Sequence, residues 1–208
     1  MPDFQYEQRL ISRGYTKIAG VDEAGRGPLA GPVSAAAVIL PAGFVCPFLN
    51  DSKKLSKKRR ELLYTEITSN PEVAWAVAMV APEEIDVINI LRATHKAMGL
   101  ALDALKPAAD VALIDGLAVK GLSLPHEALV KGDSLSLSIA AASVIAKVTR
   151  DRFMETIDIE FPVYGFAKHQ GYGTRAHIEA LKTYGPCRHH RRSFQPVSQF
   201  SIPSTGRI

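Results

Sequence analysis

Two short apolar runs joined by a glycine-rich turn constrain the fold of this chain more than any other feature. Residues 17–22 and 33–40 are rich in aliphatic and β-branched side chains, and residues 24–28 (AGRGP) separate them. Such runs are typical of strands, and glycine with proline between them indicates a tight turn of special shape. Residues 73–80, where tryptophan and aliphatic residues alternate with alanine, predict a third strand. The early part of the chain is therefore predicted to supply three strands of a sheet.

Strands and helices alternate in the rest of the chain. Residues 110–115 form an apolar run that ends on an acid, and residues 127–130 predict a further short strand. Helices are predicted at residues 57–68, from residue 82, and at residues 90–105, 135–159 and 175–184. Small apolar residues at 139–146 would let the longest helix lie close against a sheet, and Pro162 would end it. The pattern predicts an α/β fold, a five-stranded mixed sheet flanked by helices on both faces.

The length of the chain predicts one domain. With 208 residues and no internal repeat or linker, the chain is too short for two domains of ordinary size. We expect a core of about residues 17–185 and a basic C-terminal extension of about residues 186–208. The extension has turn-forming composition from Ser193 onward, and we expect poor order beyond Ile202.

Composition argues against several classes of protein. Cys46 and Cys187 are the only cysteines, and their spacing indicates neither a disulfide framework nor a zinc site. No apolar run reaches the length of a membrane-spanning helix. The N-terminus lacks the layout of a secretory signal. We therefore expect a cytoplasmic protein without membrane contact.

The distribution of charge says more than the net charge of +4. Six basic residues fall within residues 51–60, and three arginines and two histidines cluster near the C-terminus: Arg188, His189, His190, Arg191 and Arg192. Such clusters suit a polyphosphate partner, because each phosphate contact releases condensed counterions. A solvated helix face and a basic tail explain them equally well, and charge alone favours neither interpretation.

Four acids stand at the ends of predicted elements. Asp22 and Glu23 end the first strand, Asp115 ends the fourth, and Asp133 precedes the longest helix. Ligands bind at strand ends of α/β sheets because the backbone turns away there and leaves a crevice. Hard divalent cations such as Mg²⁺ or Mn²⁺ take carboxylate ligands, and two such ions can assist phosphodiester hydrolysis.

Each acid also has an ordinary explanation. Most Asp and Glu residues are simply exposed, Asp133 could be a helix N-cap, and Asp115-Gly116 is a common turn pair. Moreover, Asp22 and Glu23 point to opposite faces of a regular strand. Either the strand bends at Ala24-Gly25, or Glu23 reaches the site with its longer side chain or its carbonyl. From the residues alone, metal-assisted phosphodiester chemistry is a hypothesis.

Several motifs together resemble the ribonuclease HII family, the bacterial type 2 ribonucleases H. The matching segments are residues 21–33 (VDEAGRGPLAGPV), 50–56 (NDSKKLS), 114–116 (IDG), 131–133 (KGD), 138–143 (SIAAAS), 147–151 (KVTRD), 171–174 (GYGT) with His177, and 190–194 (HRRSF). They span nearly the whole chain, and the first is long enough to be highly specific. Gln170, where the family usually has lysine, and Cys187 depart from the pattern.

This resemblance implies an activity and a cofactor. It implies the ribonuclease H fold and hydrolysis of RNA in RNA–DNA hybrids, with incision at single ribonucleotides embedded in duplex DNA. Products would carry 5′-phosphate and 3′-hydroxyl ends, and Mg²⁺ or Mn²⁺ would be the cofactor. We expect a monomer, with a sliding clamp as a conceivable weak partner of the C-terminal tail.

The resemblance also assigns residues. It implies that Asp22, Glu23 and Asp115 are metal ligands and that Asp133 is the fourth catalytic acid. The Gly25-Arg26-Gly27 loop would read the ribose 2′-hydroxyl together with Tyr172, since glycines permit close backbone approach and this hydroxyl distinguishes RNA from DNA.

The segment Ser52-Lys53-Lys54 and the basic helix after it could hold backbone phosphates, which position a duplex without reading its sequence.

Two alternatives remain at this point. Another nuclease of the same fold, such as a junction resolvase or a transposase-like enzyme, would also use clustered acids and metals, although the Gly-Arg-Gly loop argues against it. A non-catalytic nucleic-acid-binding module would keep the basic patches without needing four acids at element ends.

Overall fold

Five strands form one mixed sheet in the order β3-β2-β1-β4-β5 in the computed structural model, which describes residues 1–200. The strands are β1 (Ile18–Ala24), β2 (Val33–Ile39), β3 (Ala74–Val80), β4 (Val111–Asp115) and β5 (His126–Leu129). The first three pair antiparallel, whereas β4 pairs parallel to β1 and β5 parallel to β4. Each strand lies where the sequence predicts it, apart from small shifts at its ends. The predicted five-stranded mixed sheet is confirmed.

Helices cover both faces of this sheet. They are α1 (Gln5–Ile11), α2 (Lys57–Ser69), α3 (Pro82–Ile88), α4 (Ile90–Ala104), α5 (Leu137–Glu160), α6 (Phe166–His169) and α7 (Arg175–Tyr184). The alternation of strand side chains decides what each face buries. Ala19 and Val21 of β1 pack with α4, whereas Ala36 and Val38 of β2 pack with α2 and α5.

The longest helix lies unusually close to the central strand. A Cβ atom added to Gly20 of β1 would stand 2.1 Å from the backbone carbon of Ser138. The small residues at 139–146 of α5 therefore face a strand that has its own glycine at the closest approach. Ser136, not Asp133, caps α5, because its side chain accepts the N–H of Ile139 at 3.2 Å. The alternative of Asp133 as the N-cap is wrong.

The sequence pattern does not predict α1, which owes its place to tertiary contacts. Glu7 of this helix is buried, and its Oε1 accepts hydrogen bonds from Ser136 Oγ (2.6 Å), Ser138 Oγ (2.6 Å) and Ser138 N–H (3.0 Å). The N-terminus of α5 thus binds a carboxylate from another helix. Such a contact between distant parts of the chain leaves no local periodic signal.

The C-terminal basic cluster does not form a continuous charged surface. Arg191 and His190 are 0% and 1% exposed, whereas Arg188 is largely exposed and pairs with Glu160. Both interpretations drawn from the sequence, a phosphate-binding patch and a solvated tail, are wrong for the two buried residues. Their side chains point into the protein because they bind backbone atoms there, as described below.

Three further expectations concern membrane spans, the cysteines and the C-terminus. Among the described residues, no helix is long and apolar enough to cross a membrane. Cys46 and Cys187 are both free thiols, as the sequence predicts. The expected disorder beyond Ile202 concerns residues outside the described range.

Candidate active site

Three aspartates meet at one end of the sheet. Asp22 lies near the end of β1, Asp115 ends β4, and Asp133 lies in the 3-10 turn Gly132–Ser134. Because β1 and β4 run parallel, with Val21 opposite Ile114, their carboxyl ends lie at the same edge. One carboxylate oxygen from each of the three aspartates lies within 4.8 Å of the other two. The topology thus brings together acids that are far apart in the sequence.

The turn before α5 fixes Asp133 beside Asp115. Lys131 has a left-handed backbone with φ of 60°, and the N–H of Gly132 donates to Asp115 Oδ1 at 2.7 Å. A Cβ atom on Gly132 would lie 2.6 Å from Ile139 Cδ1, so only glycine fits the turn without displacement. This hydrogen bond connects the end of β4 directly to the segment that carries Asp133.

Asp22 carries the largest electrostatic strain of the site. Burial, together with the negative charges of Glu23 and Asp115, raises the pKa of Asp22 well above its usual value. Its Oδ1 accepts the N–H of Glu23 at 2.7 Å, but the buried Oδ2 has no hydrogen-bond partner among the described residues. The Ser143 hydroxyl beside it donates instead to Ser52 Oγ at 2.8 Å. An unpartnered buried carboxylate oxygen is costly unless a cation binds it.

Glu23 lies on the opposite face of β1 from Asp22. The strand stays paired with β2 as far as Ala24, which is opposite Ser34, so it does not bend before Ala24. Glu23 lines a small cavity on the α4 side with Thr94 and Met98, and Asp115 reaches the same cavity. Burial raises the pKa of Glu23, the charge of Arg26 lowers it, and that of Asp115 raises it. Glu23 is therefore adjacent to the three aspartates but outside their group.

Lys53 and Arg26 bring positive charge to the acids, and Arg26 Nη1 lies 3.4 Å from Glu23 Oε1. Asp51 accepts the N–H of Lys53 at 2.9 Å and begins the 3-10 turn Ser52–Lys54. Burial lowers the pKa of Lys53, but the charges of the surrounding acids outweigh this and raise it overall; these acids are Asp22, Asp51, Asp133 and Asp115. Lys54 Nζ instead donates to Ser134 Oγ at 3.0 Å and lies 4.0 Å from Asp51 Oδ2. The two lysines are therefore not equivalent.

A groove of about 510 Å³ leads away from the acids. Its lining includes most of the residues that the sequence assigns to substrate binding, namely Gly25, Arg26, Gly27, Ser52, Lys53 and Tyr172, together with Glu23. Gly25 needs its glycine, because its φ is +94° and a Cβ atom would stand 2.0 Å from Arg150 Nε. Tyr172 is 47% exposed, and a Cβ atom on Gly27 would lie 3.6 Å from the ring atom Cε1 of Tyr172. The Gly-Arg-Gly loop and the tyrosine thus lie next to each other in the lining of the groove.

The comparison with known protein families decides where this chain belongs. A family model described as Ribonuclease HII matches residues 19–197. The chain belongs to the ribonuclease HII family. Its similar relatives include the ribonuclease HII of Chlamydia muridarum, 53% identical over 198 residues that cover 93% of this chain and 89% of the relative. The ribonuclease HII of Syntrophotalea carbinolica is 53% identical over 195 residues that cover 94% and 93%.

Solved structures of type 2 ribonucleases H share the fold. The ribonuclease H2 of Pyrococcus horikoshii has a TM-score of 0.75 at 27% sequence identity, covering 88% of this chain and 96% of its own. A ribonuclease HII from Archaeoglobus fulgidus, solved in complex with PCNA, has a TM-score of 0.70 at 28% identity, covering 86% and 96%. The ribonuclease H fold implied by the motifs is confirmed. As a ribonuclease HII, the chain is a divalent-metal-dependent endonuclease, and the alternative of a non-catalytic binding module is set aside.

The acids of this ribonuclease HII suit a divalent cation on their own evidence. Three carboxylates converge, one of their oxygens is buried without a partner, and the pKa values of Asp22 and Asp133 are raised by burial and by neighbouring negative charge. A cation among them would relieve both the repulsion and the missing hydrogen bond.

Sequence reasoning overlooks several residues of this ribonuclease HII site. Ser143 lies against Asp22 and Ser52, and Lys147 lines the groove while pairing with Asp151 at 2.7 Å. Arg150 is fully buried, and its guanidinium donates to three backbone carbonyls at 2.9–3.0 Å. A signal exists in the sequence, since Ser143 is a polar residue within the small apolar run of α5, and Lys147, Arg150 and Asp151 share one helix face.

Gln170, where the family usually has lysine, contacts Arg150 through its main chain. Gln170 has a φ of 54°, and its backbone carbonyl, rather than its side chain, accepts from Arg150 Nη1 at 3.0 Å. Its side chain binds only the carbonyl of Ala167, at 2.9 Å.

Proposed function

We propose that this ribonuclease HII hydrolyses the RNA strand of RNA–DNA hybrids and also incises duplex DNA at a single embedded ribonucleotide. The products would carry 5′-phosphate and 3′-hydroxyl ends, and two Mg²⁺ or Mn²⁺ ions would assist the reaction. The observation that carries this proposal is that Lys53, which interacts electrostatically with the three aspartates, lines the same groove as the Gly-Arg-Gly loop and Tyr172.

The acids divide between two faces of β1 in a way that suits two ions. Asp22, Asp115 and Asp133 would hold cations on the α5 face, and Glu23 would be a ligand from the α4 face, where Asp115 is also accessible. When bound, the ions would activate the attacking water and neutralise the charge that develops on the leaving oxygen. All four acids are therefore assigned as catalytic.

The protein's own cations would bind the substrate. Ser52 and Lys53 lie in the groove beside the acids, where a scissile phosphate would bring negative charge to the ammonium group. Lys54, which does not line the groove and binds Ser134 Oγ, would contact a different phosphate. Because phosphate contacts carry no sequence information, these residues position the duplex and leave the choice of nucleotide to the loop and Tyr172.

The loop is suited to detect a ribose. Backbone N–H groups of Arg26 and Gly27 have no acceptor among the described residues, and Gly27 carries no side chain to block approach. A 2′-hydroxyl can accept such donors, whereas a deoxyribose offers no atom there. The adjacent Tyr172 ring provides a flat apolar surface and a hydroxyl.

The experiment uses three duplexes of one sequence: an RNA–DNA hybrid, a DNA duplex with one ribonucleotide, and an all-DNA duplex. We expect cleavage of the first two with Mg²⁺ or Mn²⁺, no cleavage of the third, and no cleavage in EDTA. Ligation of the product with a DNA ligase, which needs both a 5′-phosphate and a 3′-hydroxyl, tests the ends. Cleavage of the all-DNA duplex at a similar rate would overturn the proposed substrate class.

For partners, we propose a monomer whose C-terminal tail contacts a sliding clamp. Support comes from the Archaeoglobus fulgidus relative, which was solved in complex with PCNA. If a sliding clamp binds residues 1–200 as tightly as it binds the full chain, the role of the tail is refuted.

A further inference from the structure

Arg191, like Arg150, is a buried arginine that binds backbone carbonyls. Its guanidinium is fully buried and donates to the carbonyls of Gly25 (2.5 Å), Arg26 (2.9 Å) and Gly31 (2.9 Å). No carboxylate of residues 1–200 forms an ion pair with it. Burying this charge without an acid partner is unfavourable. An apolar side chain would leave the three carbonyls without these donors, so the guanidinium serves to bind the backbone of the loop.

The bonds from Arg191 determine which way two peptide groups of the loop point. In a trans peptide the N–H and the C=O point in opposite directions. Holding the carbonyls of Gly25 and Arg26 on the guanidinium therefore turns the N–H groups of Arg26 and Gly27 away from it. These are the two N–H groups that have no acceptor among the described residues.

His190, the neighbour of Arg191, connects to the part of the groove that Tyr172 lines. Its Nδ1 accepts the N–H of Cys187 at 3.0 Å, so the proton of the neutral ring lies on Nε2. That Nε2 lies 3.0 Å from His177 Nε2, and His177 Nδ1 lies 2.9 Å from the carbonyl of Tyr172. Since a carbonyl only accepts, His177 donates from Nδ1 and accepts at Nε2. The three bonds form one chain from the C-terminal segment to Tyr172.

Backbone pairing fixes this segment in place. The N–H of Arg191 donates to the carbonyl of Leu29, and the N–H of Gly31 donates to the carbonyl of His189, both at 2.8 Å. The segment Cys187–Arg191 is therefore anchored beside the Gly-Arg-Gly loop. The side chain of Arg191 binds the loop, and that of His190 connects through His177 to Tyr172.

We propose that Arg191 and the His190–His177 pair are positioning residues that set how sharply the enzyme distinguishes a ribonucleotide from a nucleotide lacking the 2′-hydroxyl. Arg191 orients the free N–H groups of the loop, and the histidine pair orients the backbone at Tyr172. None of the three side chains lines the groove. This inference rests on the proposed function, because it assigns the loop and Tyr172 the recognition of the ribose.

The test compares two DNA duplexes that carry, at the cleaved position, either one ribonucleotide or one 2′-fluoro nucleotide. The ratio of their kcat/KM values measures recognition of the hydroxyl. Arg191→Lys keeps the charge but cannot reach three carbonyls, and we expect this ratio to fall at least tenfold. Arg192→Lys is the matched control, because Arg192 is the exposed neighbour, and its ratio should stay at the wild-type value.

His190→Leu removes both bonds of the ring, whereas His190→Gln retains a donor and an acceptor. We expect His190→Leu to lower the ratio and His190→Gln to restore at least part of it. Melting temperatures of all variants are measured alongside. If Arg191→Lys does not fold, the two His190 variants decide the question.

The outcomes separate this inference from the proposed function. A wild-type enzyme that fails to prefer the ribonucleotide refutes the proposed function itself. A wild-type enzyme with the preference, combined with variants that lose activity equally on both duplexes in step with their melting temperatures, overturns the positioning role alone.

Discussion

At the scale of single residues, Asp22 is a buried acid that destabilises the fold at the proposed metal site. Its carboxylate is 2% exposed, one of its oxygens lacks a partner, and two further acids raise its pKa. A raised pKa means that folding disfavours the ionised form at neutral pH. In the metal-free protein, ionisation of Asp22 therefore destabilises the fold at the position where a cation is to bind.

Asp22→Asn should stabilise the metal-free protein while abolishing turnover. Removing the buried charge should raise the melting temperature in EDTA by a few degrees, on the order of 1–2 kcal/mol. The further rise that Mg²⁺ or Mn²⁺ gives the wild type should shrink. As a control, Asp110→Asn should lower the melting temperature and keep the metal response, because hydrogen bonds from Thr16 and Lys17 lower the pKa of Asp110. A lower melting temperature for Asp22→Asn in EDTA would contradict this account.

Tyr172 is the second residue whose environment predicts a phenotype. Its ring is 47% exposed beside the groove, which does not suit a structural wedge. A core aromatic would lose about 3–5 kcal/mol on truncation to alanine, and we expect much less here. Tyr172→Ala should stay folded and lose incision at single ribonucleotides more than cleavage of long hybrids, while Tyr172→Phe should lose less. Equal losses on both substrates, following a lowered melting temperature, would refute the recognition role.

At the scale of elements, the approach of α5 to β1 determines the position of two acids. Gly20 precedes Asp22 on the same strand face, and α5 follows the turn that carries Asp133. Any separation of helix and strand would therefore widen the acid cluster as well as the core. From the small residues of α5, the sequence predicts that this helix lies close to the sheet. It does not predict that the helix thereby positions Asp133, because that depends on the turn at Gly132.

Gly20→Ala should disrupt this contact. Its Cβ would stand 2.1 Å from the backbone carbon of Ser138, so the helix must move, and we expect a loss of about 2–3 kcal/mol measured by denaturant unfolding. Gly99→Ala in α4 is the matched control, since its nearest neighbour is Leu122 Cδ1 at 4.0 Å. That change should stabilise the protein by about 0.5–1 kcal/mol through helix propensity. Similar effects of the two substitutions would show that α5 does not approach β1 so closely.

At the scale of the whole molecule, the C-terminal segment joins the substrate loops through buried histidines that titrate. Burial lowers the pKa of His177 to about 4 and that of His190 to about 3. The charge of His169 also lowers the pKa of both residues, and the charges of His177 and His189 also lower that of His190. In the unfolded chain both would titrate near their usual value of about 6.5. The unfolded state therefore binds more protons between about pH 6.5 and 4, and stability falls as the pH falls through that window.

A variant without these histidines should lose this dependence. In the wild type each histidine contributes up to about 1.4 kcal/mol of lost stability per pH unit in the window. The double variant His177→Gln/His190→Gln should show a shallower slope of unfolding free energy between pH 6.5 and 4.5, measured with urea in EDTA. Because every other group is shared, the difference between the two slopes isolates the pair. Parallel slopes would mean that the histidines titrate normally in the folded protein.

The sequence predicts the strands, the main helices and the three aspartates because these depend on local periodicity and on motifs. The alternation of strand side chains also predicts that Asp22 and Glu23 point to opposite faces. The regular pairing of β1 with β2 places them so. The burial of Arg191 and the docking of α1 through Glu7 could not be predicted. Both depend on hydrogen bonds to partners more than a hundred residues away, and a basic cluster in a sequence looks the same whether it is exposed or buried.

The central claim is that the aspartates at the ends of β1 and β4 carry the metal-dependent cleavage, and Asp115→Asn tests it most directly. Single-turnover cleavage of a duplex with one ribonucleotide is measured for this variant and the wild type, in Mg²⁺ and in Mn²⁺, with circular dichroism confirming the fold. Our account predicts a loss of at least a hundredfold with both ions and an unchanged spectrum, since removal of a catalytic ligand costs at least this much. Near-normal cleavage by a folded Asp115→Asn protein would contradict it.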